Sequence, residues 1–491
     1  MTDLTTTSRV SEYGRVVAIQ HPLVTIDGLP SVSPGELLEF SDQSLGQVIS
    51  FDKKYVQAMS LNKEPIRVGD NVTPLKKSAS IPVSQQVLGK IINPLAKGIL
   101  TEINWDEKTD RFRLDKAPPP LSSRKEITHP LRTGSSIVDL LIPLAKGQRE
   151  IITGDRNTGK SSFGLKLIKT QIEEGSIVVY GAIAKRRDEI IKMHGYLQKH
   201  NLVEKVVIVA SFPNDPASLI TLTPFSAMTV AEYFRNLGQD VLLILDDLST
   251  HAEMYRELSL INRSFPGRDS YPGDIFYLHA RLLERAGTIA HPSNPAETVS
   301  ISCLPLAETT DNDLTDYIIS NLISITDGHL LFDTSLFQRG RRPALNPALS
   351  VTRVGKQTQT SLQRALTREL TTFLTQYEKT RKMTHFAAEL SQDSQIILRR
   401  GAQLWTFFTE TTDLIIPFAI QAIFVSLIWQ NWLVNIKNRT LMQFRDKLAE
   451  NYYENEEAKK EFDKIIEVTN FKELLEKTKA KQQWLLRLCQ A

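Results

Sequence analysis

Residues 154–161 read Gly-Asp-Arg-Asn-Thr-Gly-Lys-Ser, which fits the phosphate-loop spacing G-x-x-x-x-G-K-[ST]. The two glycines let the backbone turn tightly and approach a phosphate closely. Successive N–H groups then face the anion at the start of a helix, whose dipole favours negative charge. The predicted nucleotide-phosphate site comprises Gly154, Asp155, Arg156, Asn157, Thr158, Gly159, Lys160, Ser161 and Ser162.

The surrounding sequence distinguishes this site from an empty glycine turn. Residues 150–153 form a short apolar run typical of a buried strand, and Phe163, Leu167, Ile168 and Ile172 then recur at helical spacing. Strand, loop and helix therefore follow in the order that a phosphate loop requires. In such a loop, the lysine (160) reaches the β- and γ-phosphates and the following serine (161) ligates Mg²⁺.

Composition limits the class of protein. The 491 residues suggest two to four domains, and 41% hydrophobic residues supply ample core. A net charge of +3, from 59 basic and 56 acidic residues, gives no bulk electrostatic argument for nucleic acid. With only Cys303 and Cys489, we expect no disulfide framework and a reduced, cytosolic setting. The N-terminal residues lack the apolar core of a signal peptide.

Residues 414–429 (LIIPFAIQAIFVSLIW) are strongly apolar, and two interpretations are open. A membrane-spanning helix needs about 20 apolar residues. This run has 16 and is interrupted by Pro417 and Gln421. The sequence therefore favours a buried helix over a membrane span.

The chain divides into three predicted domains. Residues 1–75 contain short apolar runs separated by turn signals and predict a small all-β barrel or sandwich. A hinge-like connection follows at about 76–83. Apolar strands alternate with helices in the second domain, 76–355, which predicts a mostly parallel sheet covered on both faces. The third domain, 356–491, is predicted to be all-α.

The elements of the last two domains are predicted as follows. In the α/β domain we expect strands at 177–183, 205–210 and 241–245, and helices at 188–200 and 217–237. In the all-α domain we expect helices at 362–381, 383–390, 396–408, 418–434, 441–452, 456–468 and 474–488.

A second chemical signal lies at Asp246. The run Val-Leu-Leu-Ile-Leu before it reads as a strand that ends in two aspartates, about 85 residues after the loop. Alone, such an ending is more often a strand-to-turn boundary. After a phosphate loop, it predicts a carboxylate that acts on Mg²⁺ through its water shell.

Four further stretches complete a pattern that resembles the alpha subunit of F-type ATP synthases. They are residues 246–252 (DDLSTHA), 264–286 (SFPGRDSYPGDIFYLHARLLERA), 321–328 (NLISITDG) and 349–355 (LSVTRVG). The similarity runs in order from about residue 10 to 408. It implies an N-terminal β-barrel, a central P-loop domain of the RecA-like kind, and a C-terminal helical domain.

The resemblance also implies an assembly and ligands. Three such subunits alternate with three beta-type catalytic subunits around a gamma-type central shaft, in a complex on the cytoplasmic side of a membrane. Alpha subunits bind ATP or ADP with Mg²⁺ without hydrolysing it, while the beta subunits catalyse. The family's shaft-contacting loop corresponds to residues 389–394.

Lys185 is informative about whether this chain is of the catalytic or the non-catalytic kind. Catalytic members place a glutamate there, after the strand that follows the loop helix, where it polarises the attacking water. Lys185 has that position here, and alpha subunits usually have glutamine. An ammonium has no acceptor and cannot orient or deprotonate water. We expect a site that binds nucleotide with little turnover. The alternative is an ordinary surface lysine offset by one residue.

The resemblance assigns further roles residue by residue. Arg353 corresponds to the arginine that reaches the neighbouring beta subunit's γ-phosphate, and Ser324 to a second position near that shared site. Phe337 and Arg342 correspond to residues that line the nucleotide pocket. Asn157 replaces the usual glutamine of the loop, and 406–413 (TFFTETTD) lacks the adenine-binding glutamines. Base specificity therefore stays open.

Other assignments also stay open at this point. The chain begins without the family's extra N-terminal helix and diverges after about residue 415, so the stator partner is uncertain. These departures also fit a paralogous F-like motor that is not coupled to standard ion translocation. Another class is a homohexameric export or RNA-translocating ATPase, which needs the glutamate that Lys185 replaces. A scaffold without nucleotide is opposed by Lys160, Ser161 and Asp246.

Overall fold

The computed structural model describes residues 12–62, 66–262, 267–383, 391–410, 414–434 and 436–490. The strands, in chain order, are β1 (Gly14–Gln20), β2 (Leu23–Asp27), β3 (Glu36–Phe40), β4 (Leu45–Phe51), β5 (Tyr55–Ser60), β6 (Asn71–Ser78), β7 (Ser80–Pro82), β8 (Ile91–Ile92), β9 (Arg111–Arg113), β10 (Pro130–Leu131), β11 (Leu144–Ala145), β12 (Ile151–Gly154), β13 (Ile177–Ala182), β14 (Val206–Ala210), β15 (Val241–Asp246), β16 (Gly287–Ala290), β17 (Thr298–Glu308), β18 (Gly328–Phe332) and β19 (Val351–Thr352).

The α-helices, in chain order, are α1 (Ser136–Leu141), α2 (Lys160–Glu173), α3 (Arg187–Lys199), α4 (Ala217–Asn236), α5 (Leu248–Ile261), α6 (Ile275–Leu283), α7 (Tyr317–Ile325), α8 (Thr334–Gln338), α9 (Ser361–Met383), α10 (Gln392–Phe408), α11 (Phe418–Trp429), α12 (Asn438–Glu454), α13 (Glu456–Ile466), α14 (Phe471–Ala480) and α15 (Gln482–Gln490). The chain forms two compact units. The first comprises Met1–Ser123, Ile177–Ala286 and His291–Asn294, and the second Arg124–Ser176, Gly287–Ala290 and Pro295–Ala491.

The first unit begins with a closed six-stranded antiparallel barrel in the order β1-β2-β5-β4-β3-β6. Alternating residues such as Val24, Ile26 and Val56 fill its interior, while their neighbours face outward. This confirms the predicted barrel. Its last strand, β6, runs to Ser78, and β7 pairs with β9, so the stretch expected as a hinge is largely strand.

The first unit also carries the parallel strands β15, β13, β14 and β8, in that order. Every residue of β13, β14 and β15 is buried, as expected for strands covered on both faces. The predicted strands at 177–183, 205–210 and 241–245 and helices at 188–200 and 217–237 all form, with bounds within two residues.

In the second unit, β12 lies between β17 and β18, and all three strands are parallel. The short β19 and β16 add antiparallel edges to β18 and β17, respectively. The chain therefore has the mostly parallel α/β core that the sequence predicts. Because β12, β17 and β18 run in one direction, their carboxyl ends meet at one edge.

The C-terminal helices α9–α15 pack in the same unit around α11. Residues 419–428 of α11 are buried, because this helix is apolar on every face and needs neighbours on all sides. The expectation of a buried helix at 414–429 is confirmed for α11. Across the described residues, no helix has both the length and the apolar character needed to cross a membrane.

Several helix ends depart from the predictions, and α10 begins four residues before the predicted start at 396. The helix expected over 418–434 ends at Trp429, and Asn431 has a left-handed φ of 58°. The helix expected over 474–488 is two helices, α14 and α15, separated at Lys481. The helix expected at 383–390 lies outside the described residues from 384 onward.

A buried histidine pair links three helices of the first unit. His251 Nε2 donates to the Thr221 carbonyl oxygen at 3.1 Å, which leaves Nδ1 to accept from His279 Nε2 at 3.0 Å. Both side chains are fully buried. Burial lowers the pKa of His251 to about 4 and that of His279 well below its usual range. Both rings are therefore neutral in the folded chain near neutral pH.

This pair should make the fold acid-sensitive. In the unfolded chain both histidines bind protons near pH 6.5, whereas the folded chain resists protonation. Stability is therefore intact above pH ~6.5 and falls toward pH ~4, by about 1.4 kcal/mol per pH unit for each histidine. Thermal unfolding from pH 7 to 4 should show a shallower loss in His251→Gln. The exposed His129→Gln is the control, and equal slopes in all three proteins would contradict the assignment.

Candidate nucleotide-binding site

The predicted phosphate loop connects the end of β12 to the start of α2. Gly154, Asn157 and Gly159 all have left-handed φ values, of 148°, 60° and 97°. A Cβ atom at Gly154 would collide with the carbonyl oxygen of Phe332 on β18. The glycine is therefore required where the loop passes close to the neighbouring strand. The amide groups of the first turn of α2 have no partners within the helix and suit an anion.

Lys160 is buried in the loop, with its side chain folded back over the loop backbone. Its Nζ donates to the carbonyl oxygens of Gly154 at 2.6 Å and Asp155 at 2.7 Å. These contacts place the ammonium within the loop. This is the charge distribution that a phosphate needs.

Asp155 holds the loop in place. Its carboxylate accepts hydrogen bonds from Thr309 Oγ1 at 2.7 Å, the Asn312 amide at 2.9 Å and Thr334 Oγ1 at 2.7 Å. Burial raises the pKa of Asp155, but these hydrogen bonds outweigh it and hold the pKa below its usual range. Arg156, which is exposed, pairs with Glu308 at 2.6 Å.

The two residues expected to line the pocket lie beside the loop. The Phe337 ring edge is 3.9 Å from where a Cβ of Gly159 would lie. The Arg342 guanidinium stacks on that ring, 3.5 Å from its centroid, and donates to the Phe337 carbonyl oxygen at 2.9 Å. The structure therefore brings Phe337 and Arg342 together with the phosphate loop, as expected for residues that contact a nucleotide.

Ser161 and Ser162 are exposed on the first turn of α2. The Ser161 hydroxyl therefore fits the ligand that a phosphate loop offers to Mg²⁺. When bound with nucleotide, that ion would neutralise phosphate charge.

Asp246, the expected second contributor to Mg²⁺, ends β15 in the first unit and carries an ion pair. Lys185 Nζ lies 2.7 Å from its Oδ1 and 3.2 Å from Asp247 Oδ2. The Tyr180 hydroxyl donates to Asp246 Oδ2. Burial lowers the pKa of Lys185, but the two aspartates more than offset this and raise it. Lys185 is therefore an ammonium held between two carboxylates.

The backbone fixes Lys185 in this position. Its N–H donates to the Ser211 carbonyl oxygen at 3.1 Å, and the Ala184 N–H donates to Ser211 Oγ at 3.1 Å. Ala184 itself has a left-handed φ of 50°. The lysine side chain is about 20% exposed. These contacts exclude the interpretation of Lys185 as an ordinary, solvated surface lysine.

Arg353 and Ser324 lie close together in the second unit. Arg353 is exposed just after β19, and its Nη1 donates to the Thr326 carbonyl oxygen at 3.0 Å. Ser324, two residues earlier than Thr326, is exposed at the end of α7 and donates to the Asn321 carbonyl oxygen at 2.7 Å. The sequence prediction that these two residues share a surface is consistent with this geometry.

Sequence reasoning missed the partners of Asp155. Thr309 follows the end of β17, and Thr334 follows β18 by two residues. A signal was present, because polar residues directly after parallel strands meet at the edge where the phosphate loop lies. The missing information was which strands neighbour β12. Within the stretch 406–413, which lacks the adenine-binding glutamines, residues 411–413 lie outside the described residues.

Asp155→Ala should weaken nucleotide binding by about tenfold or more, because the loop loses three hydrogen bonds that hold its shape. Titration of the full chain with a fluorescent ADP analogue measures this. Asp313→Ala is the matched control, since that exposed carboxylate bonds Thr315 within its own turn. Unchanged affinity in Asp155→Ala would show that the loop holds its shape without this anchor.

Comparison with known families agrees with this geometry. Residues 134–352 match the nucleotide-binding domain of the ATP synthase alpha/beta family. The matched segment contains the phosphate loop, Lys185, Asp246 and Phe337, and Arg353 follows it directly. The central part of this chain is therefore similar to the nucleotide-binding domain of the ATP synthase alpha/beta family.

Proposed function

We propose that this chain is a non-catalytic, alpha-type subunit of a rotary F-type ATPase head. It binds ATP or ADP at the loop formed by residues 154–161 and does not hydrolyse it. It contributes Arg353 to the catalytic site of a neighbouring beta-type subunit. The family match supports a nucleotide-binding domain, and Lys185 and Arg353 support the alpha-type assignment.

The main observation that supports this proposal is the ion pair of Lys185. Its position follows β13, where catalytic members have a glutamate that polarises the attacking water. General-base catalysis needs a lone pair within hydrogen-bond reach of that water. The Lys185 ammonium has none, and Asp246 and Asp247 hold it in its charged form. A bound nucleotide would therefore lack a group to activate water at this position.

The surface around Arg353 supports a role at an interface. Leu349 and Val351 precede it and expose about half of their surfaces, at 51% and 43%. Exposed apolar residues next to a guanidinium are typical of a surface that contacts another protein. A planar, permanently charged fork there suits a neighbour's γ-phosphate, where charge spreads in the transition state.

The assembly and setting follow from this assignment. We propose an alternating ring of three such chains and three beta-type subunits around a gamma-type shaft. The complex would lie on the cytoplasmic side of a membrane and would participate in ion transport. A paralogous F-like motor without standard ion coupling would use the same ring and the same arginine.

Nucleotide binding and hydrolysis should separate in the isolated full chain. We expect ADP and ATP to bind, with an ATPase rate no higher than that of buffer blanks. Lys160→Ala should weaken binding by at least about tenfold, because it removes the cation of the loop. Binding is measured with a fluorescent nucleotide and hydrolysis by phosphate release. A substantial ATPase rate that Lys160→Ala abolishes would refute the non-catalytic assignment.

Arg353→Lys tests the contribution to the neighbour. In the assembled complex we expect turnover to fall by about 10³-fold or more, because an ammonium does not reproduce the guanidinium fork. Steady-state ATP hydrolysis measures the loss, and size-exclusion chromatography verifies assembly. Arg364→Lys, at an exposed position on α9, is the control. If assembly is intact and turnover is nearly normal, Arg353 has no such role.

A further inference from the structure

The described residues of the second unit line a cavity of about 320 Å³. Its walls come from β10, β11, the C-terminal end of α2 and the helices α11, α12 and α13, which all belong to this unit. Because α2 starts at the phosphate loop and has 14 residues, the cavity lies about 20 Å from the loop, at the other end of this helix. Its volume is in the range of sites that hold small molecules.

Gln421, in the first turn of α11, lines this cavity and is 2% exposed. Its Nε2 donates to the Ile416 carbonyl oxygen at 2.8 Å, whereas its buried Oε1 has no hydrogen-bond partner in the described part of the chain. Turning the amide over would not help, because Oε1 would then face a carbonyl oxygen, which is also an acceptor. A buried acceptor without a partner is costly. A ligand with an N–H group would supply the donor that this oxygen needs.

The charges around the cavity favour a positively charged ligand. The acidic side chains that line it are Asp139, Glu173, Glu174 and Asp463, and the basic one is Arg132, so that their formal charges sum to −3 when all are ionised. Arg132 lies 3.6 Å from Glu174 and is 62% exposed, and it therefore balances a single carboxylate from the solvent side. Burial raises the pKa of Asp139 to about 6, which leaves this carboxylate ionised near neutral pH.

The rest of the lining distinguishes an organic cation from a metal ion. Among the described residues, no three acidic, histidine or cysteine side chains are grouped so that they could hold a metal ion. Apolar side chains, such as those of Leu144 and Ile466, form a further part of the wall, and the Phe418 ring lies there too. Apolar surface favours contact with a hydrocarbon body, and an aromatic face attracts a cation.

We propose that this cavity binds a small organic cation, with an ammonium group that donates to Gln421 Oε1 and an apolar body that packs on the wall. The surrounding carboxylates balance its charge. The site is separate from the nucleotide site and does not depend on the proposed alpha-type function. A bound cation would contact both α2 and the helices α11–α13, so it should stabilise the folded second unit by mass action.

The test is ligand binding to the full chain without nucleotide, measured by isothermal titration calorimetry. The probes are phenethylamine, which is protonated at neutral pH, its uncharged analogue phenethyl alcohol, and the anion hydrocinnamate. We expect the amine to bind at least about tenfold more tightly than the alcohol, because hydrogen bonds from a charged donor are stronger. We expect no binding of the anion. At saturation the amine should also raise the thermal unfolding temperature.

Two variants locate the ligand. Asp139→Asn keeps the oxygen that accepts from the Thr133 amide and hydroxyl but removes the charge. It should weaken amine binding by about tenfold and leave alcohol binding nearly unchanged. Gln421→Leu removes the unpartnered oxygen and should weaken both, since both probes donate to it. Asp313→Asn, at an exposed carboxylate outside the cavity, is the matched control.

Thermal unfolding without ligand establishes that each variant is folded, and the comparison of the three probes needs no variant. No binding of the amine, or equal affinities for the three probes, would show that the cavity holds solvent only and would overturn the proposal. Amine binding that neither Asp139→Asn nor Gln421→Leu weakens would place the ligand elsewhere on the chain, which also overturns it.

Discussion

The carboxylate of Asp155 is the contact on which the phosphate loop depends. The loop backbone passes through left-handed conformations at Asn157 and Gly159. For a residue with a side chain, such as Asn157, this costs on the order of 1 kcal/mol, which the surroundings must offset. Asp155 supplies the offset by accepting hydrogen bonds from the segments after β17 and β18. The loop shape is thus set by the parallel sheet, because only that topology brings these three strand ends together.

Two lysines show how the same side chain serves opposite purposes. Lys160 donates to two backbone carbonyl oxygens and places its ammonium in the phosphate loop. Lys185 contacts two carboxylates, which neutralise its positive charge and leave the three groups with a net negative charge. Burial alone does not decide between these roles, since both side chains are largely withdrawn from solvent. The two lysines differ in the oxygens that they contact, which are backbone carbonyl oxygens for Lys160 and carboxylate oxygens for Lys185.

The sequence predicted what depends on local patterns. The phosphate loop, the buried strands β13–β15 and the apolar α11 were all readable because spacing and burial act within a few residues. The partners of Lys185 were not, because Asp246 and Asp247 lie about 60 residues further along the chain and meet it through strand pairing. The break between α14 and α15 was missed for a related reason, since both segments are amphipathic and lack glycine or proline. The position of this break is set by tertiary packing.

The charges at the end of β15 are arranged around one lysine. The formal charges of Asp246, Asp247 and the Lys185 ammonium sum to −1. Each oxygen atom of the two carboxylates has a partner. A glutamate at the same place would bring three carboxylates together, and like charges at this range require a proton or a metal between them. A catalytic carboxylate and a bound divalent cation are therefore electrostatically coupled requirements. The lysine at this place is itself the cation that lies between the two aspartates.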